Sequence, residues 1–380
     1  MAPIHALSYI RTAARNVKIT FQNLRGASPQ HGLNYRVAGF SVDPNFQHRV
    51  AFSTNFAKRT DFGYMTKVSL IVGASGQTGA LLAQYLLGRG HAVICASRNV
   101  ILTDWWRLER LGIADLVKRV SIPPNELATV LDAVALYEPD EIYFLAGPSS
   151  VGESFSKPFD SLTSISTGAL TYLEALRLLG SSAHFFNAAS TDCFGNQPGV
   201  RFDEESVMAP VSPYGVAKAT SFQQTMIFRE VFGLNACNGI LSNLESSFRD
   251  HRFVTKKIVS TLKAKAAGIP MRLVLGNTEI RRDWVWAPDA VRAIHSICAA
   301  PTPRDYVVAT GQSFSLDEFV EETCRQLGLD SQQAYEVDQA LFRPFEISSI
   351  ETSPKKISAQ LGWTPTADFE TLVSNLIAGR

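Results

Sequence analysis

"VSLIVGASGQTGALLAQYLLGRG", residues 68–90, decides the fold. A short apolar run ends at Gly73. Gly76 and Gly79 follow at GxxGxxG spacing, and the next apolar residues recur with a helical period up to a glycine stop. A glycine triplet alone is weak evidence. One that ends a strand and opens a helix has the context of a dinucleotide fingerprint. Its glycines allow a tight turn and close backbone approach, and the helix N-terminus then faces a pyrophosphate. Ser75, Gln77 and Thr78 fall within the same loop and join the candidate cofactor residues. The plainer alternative is an ordinary strand-to-helix turn.

Working outward, strand and helix patterns alternate from Met65. Strands are expected at 68–73, 92–97, 140–147, 183–190 and 234–242, and helices at 77–90, 126–137, 159–180 and 212–233. This is the order of a Rossmann-type, doubly wound α/β fold with a parallel sheet, assigned to residues 65–242. Ala146 and Gly147, at the end of the 140–147 strand, join the cofactor candidates. After Asn243 the rhythm loosens. Helices near 252–268, 288–300 and 315–327, strands at 271–276 and 305–311, and two helices around "LGWTP" (361–365) suit a smaller α/β substrate lobe over 243–380, with segments returning to the first domain.

Residues 1–64 differ. Arg and Lys recur there while only Asp43 and Asp61 are acidic. Such a leader fits an organellar transit peptide or, more simply, upstream sequence translated from an early start codon. The expectation is a functional start at Met65 and a poorly ordered extension. The net charge of +1 gives no bias toward nucleic acid or membrane, and no apolar run is long enough to span a bilayer. Five dispersed cysteines without CxxC fit reduced thiols in the cytoplasm. The seven histidines form no metal-spaced pair, so no metal is expected.

The second strand bears on the cofactor. An acid about 20 positions past the glycine loop would bind a ribose 2′-OH and imply NAD. The chain has "ASRNV" there, with Arg98 and no nearby acid. A guanidinium suits a 2′-phosphate, which points to NADP. The alternative for Arg98 is a solvated surface charge. "SPYGVAK" places Tyr214 and Lys218 at i and i+4 on one helix face. An ammonium beside a phenol favours the phenolate and should lower its pKa, so the pair can exchange a proton with a sugar hydroxyl and contact the nicotinamide end. "NAASTDCFGN" (187–196) ends an apolar strand with Ser190, Thr191 and Asp192. Ser190 completes a hydroxyl, phenol and ammonium set.

At this point the chain resembles the extended short-chain dehydrogenase/reductases, and among them the GDP-mannose 4,6-dehydratases. The resemblance runs from about Met65 to the C-terminus. "NGILSNLES" (238–246), "FVTKKI" (253–258), "GNTEIRRDW" (276–284), "VATGQSFSLDEFVE" (308–321) and "LGWTP" carry it. It implies a GDP-sugar-like substrate, tightly held NADP, and a homodimer or homotetramer. It implies catalytic roles for Ser190, Asp192, Tyr214 and Lys218, with Asp192 as the acid/base group that a plain epimerase or reductase does not need. The alternative for Asp192 is a carboxylate capping a turn. The resemblance also points to Ser154 at the hexose, Asn243 and Lys257 at the phosphates, Arg282 at a phosphate or the nucleotide, and Arg343 with Glu346 at the nucleotide end. An Arg282–Asp283 ion pair is the plainer reading of Arg282. Trp284 and Trp286 read as packing groups.

The chain departs from the family pattern at four places. Asp192 stands for Glu. "KRVSIPPNE" lacks the acid after the third strand. Ser150 stands where His is usual. "NLESSFRD" (243–250) lacks the usual His, Pro and paired Arg. The other readings that the residues leave open are a nucleotide-sugar 4-epimerase or 4-keto reductase, and a cofactor-binding regulator with impaired catalysis.

Overall fold

The computed structural model describes residues 66–343 and 345–380. The expectations for residues 1–64 and for Met65 lie outside the described residues.

Seven parallel strands form the central sheet: β1 (Val68–Val72), β2 (Ala92–Ser97), β3 (Lys118–Ser121), β4 (Glu141–Phe144), β5 (His184–Ser190), β6 (Ala236–Leu241) and β7 (Tyr306–Val308). Their order is β7-β6-β5-β4-β1-β2-β3, and every pairing is parallel. The order reverses between β1 and β4, the switch point where such sheets hold ligands at the strands' carboxyl ends. β1, β4 and β6 are buried along their whole length, which explains why they read as unbroken apolar runs.

Side-chain alternation in β1 divides the core. Val68, Leu70 and Val72 face one layer with Ile142, Phe144, Tyr172 and Leu176, while Ile71 faces the other with Leu82, Leu86, Phe186 and Ile294. The helices α1 (Gln77–Leu87), α2 (Trp106–Arg110), α3 (Leu127–Tyr137), α4 (Val151–Ser156), α5 (Gly168–Leu179) and α6 (Pro213–Phe232) accompany the first six strands. A π-helical stretch, Leu162–Thr167, leads into α5. Toward the C-terminus follow α7 (Val254–Ala266), α8 (Ala287–Cys298), α9 (Leu316–Leu327), α10 (Lys355–Leu361) and α11 (Phe369–Ala378). A separate apolar cluster joins Ile258 and Leu262 of α7, Phe319 and Val320 of α9, and Leu372 and Leu376 of α11. α8 and β7 instead pack with the sheet.

Two elements escaped the pattern reading. β3 is four residues long at the sheet edge, with alternate side chains exposed and two of its residues charged, so it shows no apolar run. α2 is only five residues long. The strand expected at 271–276 shrinks to Val274–Leu275, paired with Glu336–Val337. Trp284 packs against Phe319 and Phe369, as a packing group should.

Candidate active site

The glycine loop connects β1 to α1. Gly73 has φ +91°, and a Cβ there would stand 3.0 Å from the backbone of Ala146. A Cβ on Gly79 would come within 2.5 Å of the Gly73 carbonyl oxygen. Glycine is therefore required for the loop to lie against both β4 and its own helix. No side chain caps α1, whose first turn opens at Gly76. A cleft of about 550 Å³ lies in front of it. Gly73, Ser75, Gly76, Gln77, Thr78 and Gly79 line this cleft with Arg98, Ala146, Gly147 and Ser154. A cradle that any Cβ would fill, next to an uncapped helix N-terminus, fits a dinucleotide pyrophosphate. Arg98 is exposed at the cleft wall.

Gln77 has a second task. Its Nε2 donates to the Leu244 carbonyl at 3.0 Å, and its Oε1 accepts from Ser246 Oγ at 2.8 Å. The segment that departs from the family pattern is thereby pinned to the glycine-loop helix. It also delivers Arg249 and Arg252 to the cleft, two cations the sequence reading did not assign. Their signal was present as basic residues just after Asn243, masked by the loss of the paired-Arg pattern. Ser150, at the other departure, caps α4 by accepting from Glu153 N–H at 3.2 Å.

Ser190 ends β5 and opens a single 3-10 turn, Thr191–Phe194. Its Oγ accepts from the Asp192 N–H at 3.2 Å and donates to Asp192 Oδ2 at 3.1 Å. Thr191, Cys193 and Phe194 point inward and are buried, and Phe194 stacks on Phe202 with centroids 4.6 Å apart. The turn leaves through Gly195, φ +71° and ψ −156°, where a Cβ would overlap the Ala209 carbonyl oxygen at 1.8 Å.

Ser212 caps α6 by accepting from Gly215 N–H at 3.0 Å, and Pro213 occupies the first turn. That start places Tyr214 and Lys218 together in the interior. Lys218 Nζ donates to the Ala188 carbonyl at 2.6 Å and stands 5.8 Å from the Tyr214 ring centroid. Burial pulls Lys218 down to about 8. The expectation for the phenol is corrected. Burial, with the Asp192 charge second, pushes Tyr214 above its ordinary value, while hydrogen bonding with Ser190 and the charge of Arg249 work the other way. The ammonium is turned to a carbonyl of β5, so desolvation outweighs any help it gives the phenolate.

The remaining candidates divide. Arg282, Arg343 and Glu346 come together: Glu346 Oε1 lies 3.3 Å from Arg343 Nη1 and 4.0 Å from Arg282 Nη2. Arg282 is nearly buried, and burial lowers its pKa against the opposing pull of Asp192. The Arg282–Asp283 pair does not form, because Asp283 accepts from Thr310, Gly311 and Thr352. Lys257 Nζ donates to the Val274 carbonyl at 2.5 Å. Ser154 Oγ donates to the Val151 carbonyl at 2.7 Å. Asn243 sits opposite Trp284 in a short parallel pair.

A glycine cradle, a buried tyrosine–lysine pair and a strand-end hydroxyl at the carboxyl ends of one sheet are the arrangement of the short-chain dehydrogenase/reductase class. Within that class the chain belongs to the GDP-mannose 4,6-dehydratase family, whose model matches residues 70–376. It is 35% identical over 321 residues to GDP-mannose 4,6 dehydratase 2 of Arabidopsis thaliana, covering 82% of this chain and 86% of the relative. The fold is similar to that of the UDP-glucose 4-epimerase of Thermus thermophilus in complex with NAD (TM-score 0.72, 22% identity, 82% of this chain and 98% of that one). It is also similar to that of RMD from Pseudomonas aeruginosa complexed with NADPH (TM-score 0.68, 20% identity, 83% and 98%).

Proposed function

We infer that the protein is a nucleotide-sugar 4,6-dehydratase acting on GDP-mannose, and that it uses a nicotinamide cofactor. Family membership over residues 70–376 carries this reading. A bound cofactor supplies reversible hydride storage, taking hydride from the sugar and giving it back within one turnover.

The residue roles are our proposal. Tyr214, whose pKa burial raises, acts as the phenolate that a bound cofactor's positive ring favours; it takes the proton of the C4 hydroxyl, and Ser190 hydrogen-bonds the C4 oxygen as it becomes a ketone. Lys218, fixed on the Ala188 carbonyl, holds Tyr214 in place and meets the cofactor ribose. The ketone acidifies C5–H. Asp192 removes that proton and passes it to the departing C6 hydroxyl, so water leaves; C6 then accepts hydride while C5 takes back a proton from Tyr214, which held the one from the C4 hydroxyl. Buried Arg282 supports this by drawing the Asp192 carboxylate, and with Arg343 and Glu346 it receives the diphosphate and nucleotide. Asn243 and Lys257 serve the phosphates, and Ser154 the hexose. Arg98 at the cleft wall supports NADP over NAD. A homodimer or homotetramer in the cytoplasm completes the proposal, in keeping with five free, buried cysteines. Among the described residues no helix is long and apolar enough to cross a membrane.

The test is incubation of purified protein with GDP-mannose. A product bearing a 4-keto group and a 6-methyl group is expected. A hexose inverted at C4 would indicate an epimerase. Free reduced cofactor accumulating in step with substrate would exclude a dehydratase, which keeps its hydride.

A further inference from the structure

Away from the cleft, three side chains converge at the amino-terminal edge of the sheet. His91 precedes β2, Glu141 opens β4, and His295 lies in the last turn of α8. One ligand atom from each lies within 4.8 Å of the other two. Glu141 and His295 are buried, 1% and 8% exposed. Glu141 Oε2 accepts from the Tyr143 hydroxyl at 2.8 Å and from Ser69 Oγ at 3.3 Å, while Oε1 accepts from Lys67 Nζ at 2.8 Å. His91 Nδ1 stands 2.8 Å from Ser69 Oγ and 3.6 Å from Glu141 Oε2.

His295 is the unusual member. It makes no side-chain hydrogen bond among the described residues and lies edge-on to Tyr85 and His91, with ring centroids 5.5 and 5.7 Å away.

We propose that His91, Glu141 and His295 form a binding site for a zinc-class divalent cation, with a fourth position open to water. Tetrahedral zinc accepts a two-imidazole, one-carboxylate set. Metal–ligand bonds of about 2.0–2.2 Å place neighbouring ligand atoms roughly 3.4 Å apart, so the His295 ring, tied by no hydrogen bond, closes on the ion. Ser69 and Tyr143 orient His91 and Glu141. Lys67 is the competitor. Its half-exposed ammonium turns to solvent as the ion takes over the charge of Glu141. The site ties α8 to the sheet at the edge opposite the glycine loop, so it acts on stability and not on the reaction.

Full-length protein freed of metal with a chelator is titrated with Co²⁺ and then Zn²⁺. One equivalent of Co²⁺ should bind saturably with the visible absorption of a tetrahedral ion, Zn²⁺ should displace it, and Tm should rise while dehydratase turnover stays constant. His295→Ala should lose that absorption and weaken binding at least about tenfold. His91→Ala reads the same loss from the other imidazole if the first variant does not fold. Lys67→Ala, which removes the competitor, should bind more tightly than the native chain. The proposal is overturned if the native protein takes up neither ion, or if uptake survives in the imidazole variants and so belongs to other histidines.

Discussion

Asp192 and Ser190 hold each other. The hydroxyl accepts from the Asp192 N–H at 3.2 Å and donates to its Oδ2 at 3.1 Å. The shorter carboxylate therefore has a fixed direction at the strand end, where a free one would need ordering at every turnover. Asp192→Asn preserves this shape and removes the base. Turnover should fall by about 10²–10⁴-fold, and solvent deuterium should no longer enter at C5, with cofactor affinity unchanged. Native turnover in this variant would remove Asp192 from the mechanism.

Arg98 should decide between the two nicotinamide dinucleotides. It is exposed at the cleft wall, so Arg98→Ala leaves the fold intact. Loss of a charge-assisted bond to a 2′-phosphate should weaken NADP binding by roughly ten- to a hundredfold and leave NAD binding unchanged. Calorimetric titration with both cofactors reads the difference, and an equal loss for both would refute the assignment.

Arg282 is nearly buried beside Glu346 and within the field of Asp192. Arg282→Met should raise KM for GDP-mannose by about tenfold or more, because a diphosphate loses a desolvated guanidinium. A change confined to kcat would instead place Arg282 with the reacting carbons.

Lys218 makes stability depend on pH. Its ordinary pKa is 10.5, which the unfolded chain retains, and burial lowers it to about 8 in the folded protein. Between those values the unfolded state binds more protons, so stability rises with pH across that window and the full penalty applies below it. The depression corresponds to roughly 3 kcal/mol. Lys218→Met should lose this rise, and the difference in Tm between the two proteins, followed from pH 8 to 10.5, isolates it from other groups. Parallel curves would mean that the ammonium is solvated.

Gly195 carries the turn that aims Asp192. Its backbone lies where side chains are excluded, and a methyl group would overlap the Ala209 carbonyl. Gly195→Ala should cost about 3 kcal/mol, read from the urea midpoint, and should lower activity more than the remaining folded fraction accounts for. A neutral substitution would mean that the turn can be rebuilt.

Much of the fold could be read before any coordinates because β1, β4, β5 and β6 are buried on both faces and so appear as apolar runs. The glycine loop was legible for the same kind of reason: Gly73 and Gly79 are where a side chain would collide with backbone. β3 was hidden by its two charges and its edge position. The protonation of Tyr214 was misread because spacing reveals that a lysine is near but not that its ammonium faces Ala188. The grouping of Arg282, Arg343 and Glu346 came only through family resemblance, since no local period links them. His91, Glu141 and His295 were invisible because the sheet and α8, not sequence neighbourhood, bring them together.

The clamp between Gln77 and the Leu244–Ser246 segment has a consequence for how ligands enter and leave. The start of the pyrophosphate-facing helix and the strand that follows Asn243 cannot shift independently. A seated dinucleotide that stiffens one end stiffens the other, and the free energy it lends to sugar binding is returned in equal measure by the sugar. In a cycle that restores its cofactor each time, this reciprocity favours a dinucleotide that stays while successive sugars come and go.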